Sequence, residues 1–576
     1  MEDKVIRKDV SALKVSPNLK DYAQTYGSFS QEDYDKEIAF FADGKLNAAY
    51  NAVDRHVEAG LKDKTAFVWV GDDGEKKFTY GDLSRLSNRF ANVLKKIGVK
   101  KGDRVFLFLP RIPELYISFL GTMKTGAIAG TLFAAFGPEA ILDRVGHAEA
   151  VVLVTSPDLK PRVDQIRGRM PALKTVIVTG DDHPGDGELN FDVEMGSVSD
   201  EFEIAHMERK DRAYMLYTSG TTGKPKGVIH THYDVAHQHL TAKWILDLHQ
   251  DDVYWCTADP GWVTGIAYGI LGPWSNGVTS IVDARRFSAE KWYKLINDYR
   301  VTVWYTAPTA IRLMMKEGHE LAKKYDLSSL RFLASVGEPL NPEAVWWSLE
   351  HIGLPFHDNF WQTETGGILI ANYASMDIKP GSMGKPFPGI KAGIVDAEGN
   401  EKPVGKAGDL CIRPGWPSMM VEIWKNPDKY NEYFRDGWYV TGDKARMDED
   451  GYFWFIGRAD DVINTAGHRV GPFEVESALI EHPAIAEAGV IGKPDEMYGE
   501  IIKAFVTLNK GHQMTPELME DVKKFIKTRL AGHAYPKEIE VRDSLPKTRS
   551  GKIMRRVLKA QEMGQPIGDT STMEDD

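Results

Sequence analysis

The chain has 576 residues, of which 42% are hydrophobic and 27% are charged, and its formal net charge is −12. This length predicts about two or three domains of ordinary globular composition. The excess of acidic residues argues against a general nucleic-acid-binding protein. The chain holds only two cysteines, Cys256 and Cys411, far apart in sequence, which indicates a reducing compartment and no disulfide framework.

A charged N-terminus and an interrupted apolar stretch argue against a membrane protein. Residues 1–10 lack the apolar core of a signal peptide. The most apolar stretch, residues 105–136, is interrupted by Arg111, Glu114 and Lys124, so it predicts a buried strand and helix rather than a membrane span. We therefore expect a cytoplasmic protein without a membrane or nucleic-acid partner.

In chain order, a polar segment at residues 1–55 precedes alternating strands and helices. Apolar residues recur at helical spacing at Leu83, Leu86, Phe90, Leu94 and Ile97. Continuous apolar strands separated by helices predict parallel sheets covered on both faces. The predicted strands are residues 65–70, 105–109, 150–154, 175–179, 279–283, 301–306 and 331–336.

The pattern changes after Gly381, where strands become shorter and Gly, Pro and Asp more frequent, which predicts a β-rich subdomain. A compact α+β unit begins near Val462. The predicted fold class is α/β: a large N-terminal domain with parallel sheets covered by helices plus the β-rich subdomain, and a small α+β C-terminal domain. Its predicted helices are residues 472–481 and 515–530, and its strands are 486–491, 503–508 and 538–542.

The run YTSGTTGKPKG at residues 217–227 combines small residues, hydroxyl side chains and two lysines. Backbone N–H groups and hydroxyls in such a loop form a donor surface for anions, and Lys224 and Lys226 add positive charge. The loop differs from a Walker A motif because Pro225 follows Gly223-Lys224 and disfavours a helix there. The run therefore predicts a polyphosphate-binding loop; an ordinary surface loop is the alternative.

Further segments accompany this loop: GEP at residues 337–339, DNFWQTETG at 358–366, YVTGD at 439–443, GRADD at 457–461, GHR at 467–469 and PKTRSGK at 546–552. In this order they resemble the adenylate-forming superfamily of acyl-CoA synthetases, luciferases and peptide-synthetase adenylation domains, over nearly the whole chain. The resemblance is closest to AMP-forming acetyl-CoA synthetases, because NAAYNAVDRH at residues 47–56 and ADPGWVTG at 258–265 look like segments of that group.

The resemblance implies a ligase with ATP, CoA and a short carboxylic acid as substrates and Mg²⁺ as cofactor. ATP and the acid first give acyl-adenylate and pyrophosphate, and the CoA thiol then displaces AMP. It implies a large domain at residues 1–459 and a small mobile domain at 460–576, which rotates about a hinge at Asp460 between the two half-reactions. Gly467, His468 and Arg469 would then face the site with CoA, with Gly467 leaving room for the pantetheine.

The resemblance also assigns the phosphate and metal contacts. Glu364 is implied as the carboxylate ligand of Mg²⁺, and Thr363 as a donor to the α-phosphate. The residues implied to grip the β- and γ-phosphates are Ser219, Thr221, Thr222 and Lys224. The other loop residues implied to bind the nucleotide are Thr218, Gly220 and Gly223.

The nucleoside contacts follow from the same resemblance. Asp358 would accept a hydrogen bond from the adenine amino group, and Asp443, assisted by Arg458, would bind the ribose hydroxyls. The alternative for Asp443 and Arg458 is a structural ion pair. The remaining residues implied to line the nucleotide site are Gly337, Glu338, Pro339, Asn359, Phe360, Trp361, Gln362 and Thr363.

Lys552 is the implied catalytic lysine, because a flexible ammonium group can hold the carboxylate and the α-phosphate for in-line attack. Its charge would be removed by acylation, so lysine-acylating and deacylating regulators are implied partners. A plain basic patch is the alternative, since Lys547, Arg549, Arg555 and Arg556 flank it. Looser matches for CoA contacts are Lys160, Arg162 and Lys527, for which an ordinary solvated surface is the better interpretation.

Val263, Thr264, Val336 and Trp361 are implied to surround the acyl group. A Trp indole makes a large rigid floor, so Trp361 predicts a short pocket for acetate. Propionate stays open as the acid, because one methylene changes the binding free energy by only about 1–3 kcal/mol. The other open alternatives are another short-chain acyl-CoA synthetase and a non-catalytic adenylate-binding regulatory protein.

Two further features are discounted. The cluster of His230, His232, His237 and His239 could suggest zinc, but no nearby Cys or well-spaced carboxylate completes a site. Cys256 is interpreted as buried and inert, because the implied mechanism needs no enzyme thiol.

Overall fold

The computed structural model describes residues 5–180, 185, 187–218, 225–318, 320–465, 468–495, 497–530, 534–548, 551–568, 570 and 573, with only the backbone described for 468 and 469. The α-helices are α1 (Tyr22–Ser28), α2 (Gln31–Lys36), α3 (Tyr80–Lys96), α4 (Pro113–Lys124), α5 (Pro138–Ile141), α6 (Lys160–Asp164), α7 (Phe191–Gly196), α8 (Asp234–Trp244), α9 (Val263–Ile266), α10 (Gly272–Ser275), α11 (Ala289–Tyr299), α12 (Pro308–Glu317), α13 (Pro342–His351), α14 (Pro427–Asn431), α15 (Pro472–Ile480), α16 (Pro516–Arg529) and α17 (Arg555–Glu562). In the part of the chain described, no helix has the length and apolar character that a bilayer crossing requires.

The strands are β1 (Thr65–Gly71), β2 (Gly74–Thr79), β3 (Arg104–Phe108), β4 (Ile128–Thr131), β5 (Val152–Thr155), β6 (Thr175–Val178), β7 (Glu188–Asn190), β8 (Arg212–Thr218), β9 (Lys226–Thr231), β10 (Val253–Cys256), β11 (Thr279–Asp283), β12 (Val303–Thr306), β13 (Phe332–Ser335), β14 (Phe356–Phe360), β15 (Ile370–Ala371), β16 (Lys385–Pro386), β17 (Ala392–Val395), β18 (Gly408–Ile412), β19 (Glu422–Ile423), β20 (Phe434–Arg435), β21 (Trp438–Met447), β22 (Phe453–Arg458), β23 (Ile463–Thr465), β24 (His468–Val470), β25 (Ile485–Asp495), β26 (Gly499–Leu508) and β27 (Glu538–Val541).

Two large sheets form the first part of the chain, and both have parallel centres. One has the order β7-β6-β5-β3-β4-β8-β9-β19 and is parallel from β7 to β8. The other has the order β2-β1-β11-β10-β12-β13-β14-β15-β16 and is parallel from β1 to β14. The buried apolar strands of these centres confirm the prediction of parallel sheets with both faces covered.

Each sheet also contains antiparallel pairs, which the apolar runs did not predict. β2 pairs antiparallel with β1, β9 with β8, and β15 with β14. The connections between these partners are short, and a parallel pair needs a crossover of about a dozen residues or more. Short connections therefore favour antiparallel pairing in these three pairs.

The β-rich subdomain and the small C-terminal unit are also confirmed. β17, β18, β20, β21 and β22 form an antiparallel sheet. The small unit has the strand order β24-β23-β26-β25, with β27 parallel to β26. Its β25 extends to Asp495, well beyond the predicted end, because Asp495 pairs with Gly499 in the hairpin that joins β25 and β26.

The N-terminal segment NAAYNAVDRH, residues 47–56, contacts the end of α4. Asn47 donates from Nδ2 to the carbonyl oxygen of Met123 at 3.0 Å. Lys124 is fully buried, and its Nζ lies 2.8 Å from Asp54 Oδ1 and 2.8 Å from Asn88 Oδ1. Burial lowers the pKa of Lys124, and the charge of Asp54 opposes that effect.

Replacing Lys124 with methionine should destabilise the protein by about 3–5 kcal/mol, because it leaves the buried carboxylate of Asp54 without its cation. Urea unfolding of the full chain measures the loss. Lys96→Met is the matched control, because the ion pair of Lys96 with Glu194 is largely exposed on the Lys96 side and should change stability by less than about 1 kcal/mol. The Asp54→Leu/Lys124→Met double variant should recover part of the loss; equal stability of Lys124→Met and wild type would contradict the assignment.

Candidate active site

The predicted phosphate loop connects the two antiparallel strands β8 and β9. Thr218 pairs with Lys226, and Tyr217 with Gly227, at its two ends. The predicted contacts Ser219, Gly220, Thr221, Thr222, Gly223 and Lys224 lie outside the described residues. The strand-loop-strand connection agrees with the exclusion of a Walker A motif, which would lead into a helix.

Glu364 lies at the centre of a polar cluster in the 3₁₀ turn Thr363–Thr365. The hydroxyl of Tyr433 donates to its Oε1 at 2.8 Å. Lys226 donates from Nζ to the Tyr433 oxygen at 2.6 Å and lies 4.0 Å from Glu364 Oε1. Burial lowers the pKa of Lys226, and Glu364 raises it. The cluster therefore holds one carboxylate in a fixed position beside the end of the phosphate loop.

This donor set fits Mg²⁺. Among the residues that the structure describes, no group of three or more His, Cys, Asp or Glu side chains is arranged to hold a metal ion. Mg²⁺ commonly takes one or two carboxylates and completes its shell with phosphate oxygens and water. A single partly exposed Glu364 beside a polyphosphate loop matches that mode.

His230 supports the same turn. Its Nε2 lies 2.8 Å from the carbonyl oxygen of Thr363, and its Nδ1 lies 2.7 Å from Asp234 Oδ2. His237 and His239 lie on α8 and have other partners, the carbonyl of Ile368 and the hydroxyl of Ser275 respectively. The histidines thus contact separate partners, and His230 fixes the backbone next to Glu364.

Gly337, Glu338 and Pro339 follow β13, where the nucleotide wall was predicted. Glu338 accepts hydrogen bonds from Thr309 and Arg312, at 2.6 and 2.7 Å. These contacts hold the segment after β13 against the first turns of α12.

Asp358 on β14 is buried beside this wall. Ser335 Oγ donates to its Oδ1 at 2.7 Å, and the Leu340 amide donates to its Oδ2 at 3.2 Å. Burial raises the pKa of Asp358 to about 7. Both carboxyl oxygens therefore already hold the wall in place, and the predicted contact with the adenine amino group stays a prediction. The neighbouring Asn359 accepts from the Tyr305 hydroxyl at 3.0 Å.

Asp443 and Arg458 face each other on β21 and β22, with Arg458 Nη1 3.3 Å from Asp443 Oδ1. Gln362 donates from Nε2 to Asp443 Oδ2 at 2.7 Å and accepts from the Tyr439 hydroxyl at 2.8 Å. Burial raises the pKa of Asp443 to about 6, while the charges of Arg458 and Lys552 lower it. The structure therefore shows the ion pair of the alternative, and ribose binding by Asp443 stays a prediction.

Lys552 reaches this cleft from the small domain. Its side chain is exposed to solvent along the cleft, yet surrounding protein and the charge of Arg458 lower the pKa of its ammonium group. The charges of Asp443 and Glu338 act in the opposite direction. Since Asp443 and Glu338 belong to the large domain, the structure brings Lys552 together with the predicted ribose and adenine residues.

Two of the basic residues that flank Lys552 have acidic partners. Lys547 pairs with Glu487 at 2.6 Å, and Arg555 pairs with Glu476 at 2.5 Å, both within the small domain. Arg549 lies outside the described residues. Lys547 and Arg555 are therefore engaged in ion pairs within the small domain, whereas Arg556 is exposed.

Val263, Val336 and Trp361 belong to one hydrophobic cluster, and Thr264 follows Val263 at the start of α9. Trp361 packs edge-on against Tyr268, with ring centroids 5.1 Å apart. Gly265 is required here, because a Cβ at this position would lie 2.3 Å from the Asp259 carbonyl oxygen. Trp361 is thus packed against Tyr268 at the edge of the main hydrophobic core, and its role in an acyl pocket stays a prediction.

Comparison with known proteins decides the family. The chain matches the family described as AMP-binding enzyme over residues 53–424, and the AMP-binding enzyme C-terminal domain over residues 474–552. The chain belongs to the AMP-binding enzymes.

Curated relatives match this AMP-binding enzyme along its whole length. An acetyl-coenzyme A synthetase of Bacillus subtilis is 53% identical over 99% of this chain and 100% of its own. An acetyl-coenzyme A synthetase of Methanothrix soehngenii is 43% identical over 96% of this chain and 88% of its own.

Solved structures give the same result. A Brucella canis acyl-CoA synthetase has a TM-score of 0.75 and 35% identity, over 95% of this chain and 99% of its own. An anthranilate CoA ligase in complex with anthranoyl-AMP has a TM-score of 0.84 and 31% identity, over 90% of this chain and 98% of its own.

The three cations loosely matched to CoA contacts in this AMP-binding enzyme are engaged with other protein groups. Lys160 is paired with Asp164 and Glu188, at 2.9 and 3.1 Å. Arg162 donates to the backbone carbonyls of residues 134 and 136, and Lys527 lies over the Tyr535 ring. Each of these cations therefore already has a protein partner.

The remaining predicted residues lie near the junction with the small domain. Asp460 lies between β22 and β23, with its Oδ1 3.6 Å from Arg458 Nε. Gly467 is outside the described residues, and the backbones of His468 and Arg469 pair with β23.

Cys256 differs from its prediction in one respect: it is half-buried rather than buried. Burial of its sulfur still raises the pKa of the thiol to about 11, which keeps it protonated near neutral pH.

Sequence reasoning missed Tyr433 and Thr309 altogether, and it gave Lys226 only a general charge. Tyr433 lies 69 positions from Glu364, and no motif marks it. The only available signal was the position of Lys226 in the phosphate loop.

Proposed function

We propose that this AMP-binding enzyme is an AMP-forming acetate–CoA ligase. The contact of Thr309 with Glu338 and with the Gly551 carbonyl carries the proposal, because it brings Lys552 to the predicted nucleotide wall, where the first half-reaction needs a lysine. The full-length relatives named acetyl-coenzyme A synthetase support acetate as the acid. ATP and CoA are then the co-substrates.

In the first half-reaction the acetate carboxylate attacks the α-phosphorus of ATP, and pyrophosphate leaves. Lys552 would hold the carboxylate and the α-phosphate oxygen together, which supplies orientation and positive charge. Thr363 would donate to the α-phosphate, and Asp443 would bind the ribose. Glu364 would hold Mg²⁺ together with phosphate oxygens and water, and the bound ion neutralises charge on the phosphates.

In the second half-reaction the CoA thiol attacks the acyl carbon, and AMP leaves. We propose that the small domain, residues 460–576, rotates about Asp460 between the two steps. His468 and Arg469 would then replace Lys552 at the cleft. Acylation of Lys552 would remove its charge and block only the first step.

A panel of carboxylic acids tests the function. Purified protein with ATP, Mg²⁺ and CoA should release AMP and pyrophosphate in equal amounts with acetate, and less with propionate. Higher turnover with propionate would make it a propionyl-CoA synthetase. Nucleotide binding without any acid-dependent pyrophosphate release would support the non-catalytic alternative.

The affinity for adenosine should fall as the pH drops through about 6. The raised pKa of Asp443 means that its carboxylate takes up a proton in mild acid and loses its acceptor function toward the ribose. A single required deprotonation predicts a loss of about tenfold between pH 7 and pH 5. Calorimetric titration with adenosine measures this without interference from a titrating phosphate.

The control for this titration is Asp443→Asn, which cannot ionise and should bind adenosine weakly with a flat pH profile. A pH dependence that survives in Asp443→Asn and vanishes in Asp358→Asn would contradict the assignment. It would show that Asp358, the other buried carboxyl of the site, is the titrating group.

A further inference from the structure

Thr309 lies in the first turn of α12, where the large domain meets the loop that carries Lys552. Its side chain is buried at 6% exposure. Its Oγ1 lies 2.6 Å from Glu338 Oε1 in the nucleotide wall and 2.8 Å from the carbonyl oxygen of Gly551 in the small domain. One hydroxyl therefore contacts both the predicted adenine site and the lysine loop.

The hydrogen-bond chemistry of this hydroxyl is limited. Arg312 donates from Nη2 to Thr309 Oγ1 at 2.8 Å, so the hydroxyl already accepts one bond. Its single hydrogen is then the donor available to two acceptors, Glu338 Oε1 and the Gly551 carbonyl. If this donor is removed, a buried carboxylate or carbonyl oxygen is left without a hydrogen-bond partner.

The lysine loop packs tightly against Thr309. Gly551 is buried with a φ of +87°, and a Cβ at this position would lie 2.2 Å from Thr309 Cγ2. The loop is closed by a bond from the Thr548 amide to the Lys552 carbonyl at 2.8 Å. Because Gly551 directly precedes Lys552, its contact with Thr309 sets where the Lys552 side chain leaves the backbone.

We propose that Thr309 is a positioning residue for Lys552, and that it couples the adenine-site residue Glu338 to the lysine loop during adenylation. The proposal rests on the function proposed above. The contact between Thr309 and the Gly551 carbonyl joins the two domains, so it exists only while the small domain holds Lys552 at the cleft. Thioester formation, which would follow a rotation of that domain, does not require it.

Thr309→Val tests the proposal, because valine keeps the shape and removes the hydroxyl. Acetate-dependent ATP–pyrophosphate exchange should fall by about 10- to 100-fold, as expected for a lost bond to buried acceptors. Thioester formation from supplied acetyl-adenylate and CoA should stay close to wild type. Thr309→Ser, which restores the hydroxyl, should recover most of the exchange, and Thr309→Ala repeats the test without the valine methyl groups.

Ser477→Ala is the matched control. Asn341 of the large domain donates from Nδ2 to Ser477 Oγ of the small domain at 2.8 Å, so this variant also loses an interdomain hydrogen bond. Ser477 does not belong to the lysine loop. Its exchange rate should stay close to wild type if the effect at Thr309 comes from positioning Lys552.

The outcomes separate the inference from the proposed function. Wild-type protein without acetate-dependent exchange would refute the proposed function itself. With an active wild type, three results would overturn the role of Thr309: unchanged exchange in Thr309→Val, an equal loss in both half-reactions, or an equal loss in Ser477→Ala. Selective loss of exchange with rescue by serine supports it.

Discussion

Lys552→Ala should lower acetate-dependent ATP–pyrophosphate exchange by about 100- to 1000-fold, the loss typical of a donor at developing charge. The lysine is the cation that the small domain places beside Asp443 and Arg458, and alanine cannot replace its reach or charge. Thioester formation from supplied acetyl-adenylate should continue, because the proposed rotation of the small domain would take Lys552 away from the cleft in that step. The measurement is isotope exchange between pyrophosphate and ATP.

Lys559→Ala is the control for this experiment. Lys559 lies on α17 of the same domain and is partly exposed, 3.6 Å from Glu500. Its removal should leave exchange unchanged. Exchange that survives in Lys552→Ala would remove the lysine from adenylation. A loss of both half-reactions would indicate a structural role instead.

Trp361→Gly should shift the preference from acetate toward acids of four to six carbons. The indole packs edge-on against Tyr268, and in the proposed pocket it would limit the length of the acid. Since each methylene in an apolar pocket changes specificity by about 10- to 200-fold, the ratio of kcat/KM for hexanoate to that for acetate should rise by at least about 100-fold. AMP release with a series of linear acids measures the ratio.

The Trp361 experiment needs a control for general loosening of the core. Trp346 lies on α13 and packs against a different hydrophobic cluster. Trp346→Ala should leave the ratio unchanged even if less protein is folded, because a ratio of specificity constants does not depend on enzyme amount. An unchanged acetate preference in Trp361→Gly would show that the pocket is assigned to the wrong residue.

The sequence by itself predicted the parts of the fold that depend on local pattern. Apolar runs such as residues 105–109 and 150–154 predicted the central parallel strands, since a strand buried on both faces needs an apolar side chain at nearly every position. The helical spacing from Leu83 to Ile97 predicted α3, although the helix itself begins at Tyr80. The pattern could not predict the antiparallel pairs β1–β2 and β8–β9, because strand direction there depends on the length of the connection.

The motifs likewise predicted which residues form the candidate site, but not which contacts hold them. Glu364, Asp443 and Lys552 were each assigned from a short segment and its place in the order of segments. Only the tertiary structure decided which side chains hold them. Tyr433 donates to Glu364 and accepts from Lys226, Gln362 donates to Asp443, and Thr309 contacts the loop that carries Lys552.

The physical reason is that these contacts join residues that are far apart in the sequence. Thr309 and Gly551 are 242 positions apart, and Lys226 and Tyr433 are 207 apart, so no local pattern links them. Local sequence determines which backbone conformations and which faces are favourable. Packing of the two domains alone decided that the hydroxyl of Thr309 and the carbonyl before Lys552 would meet.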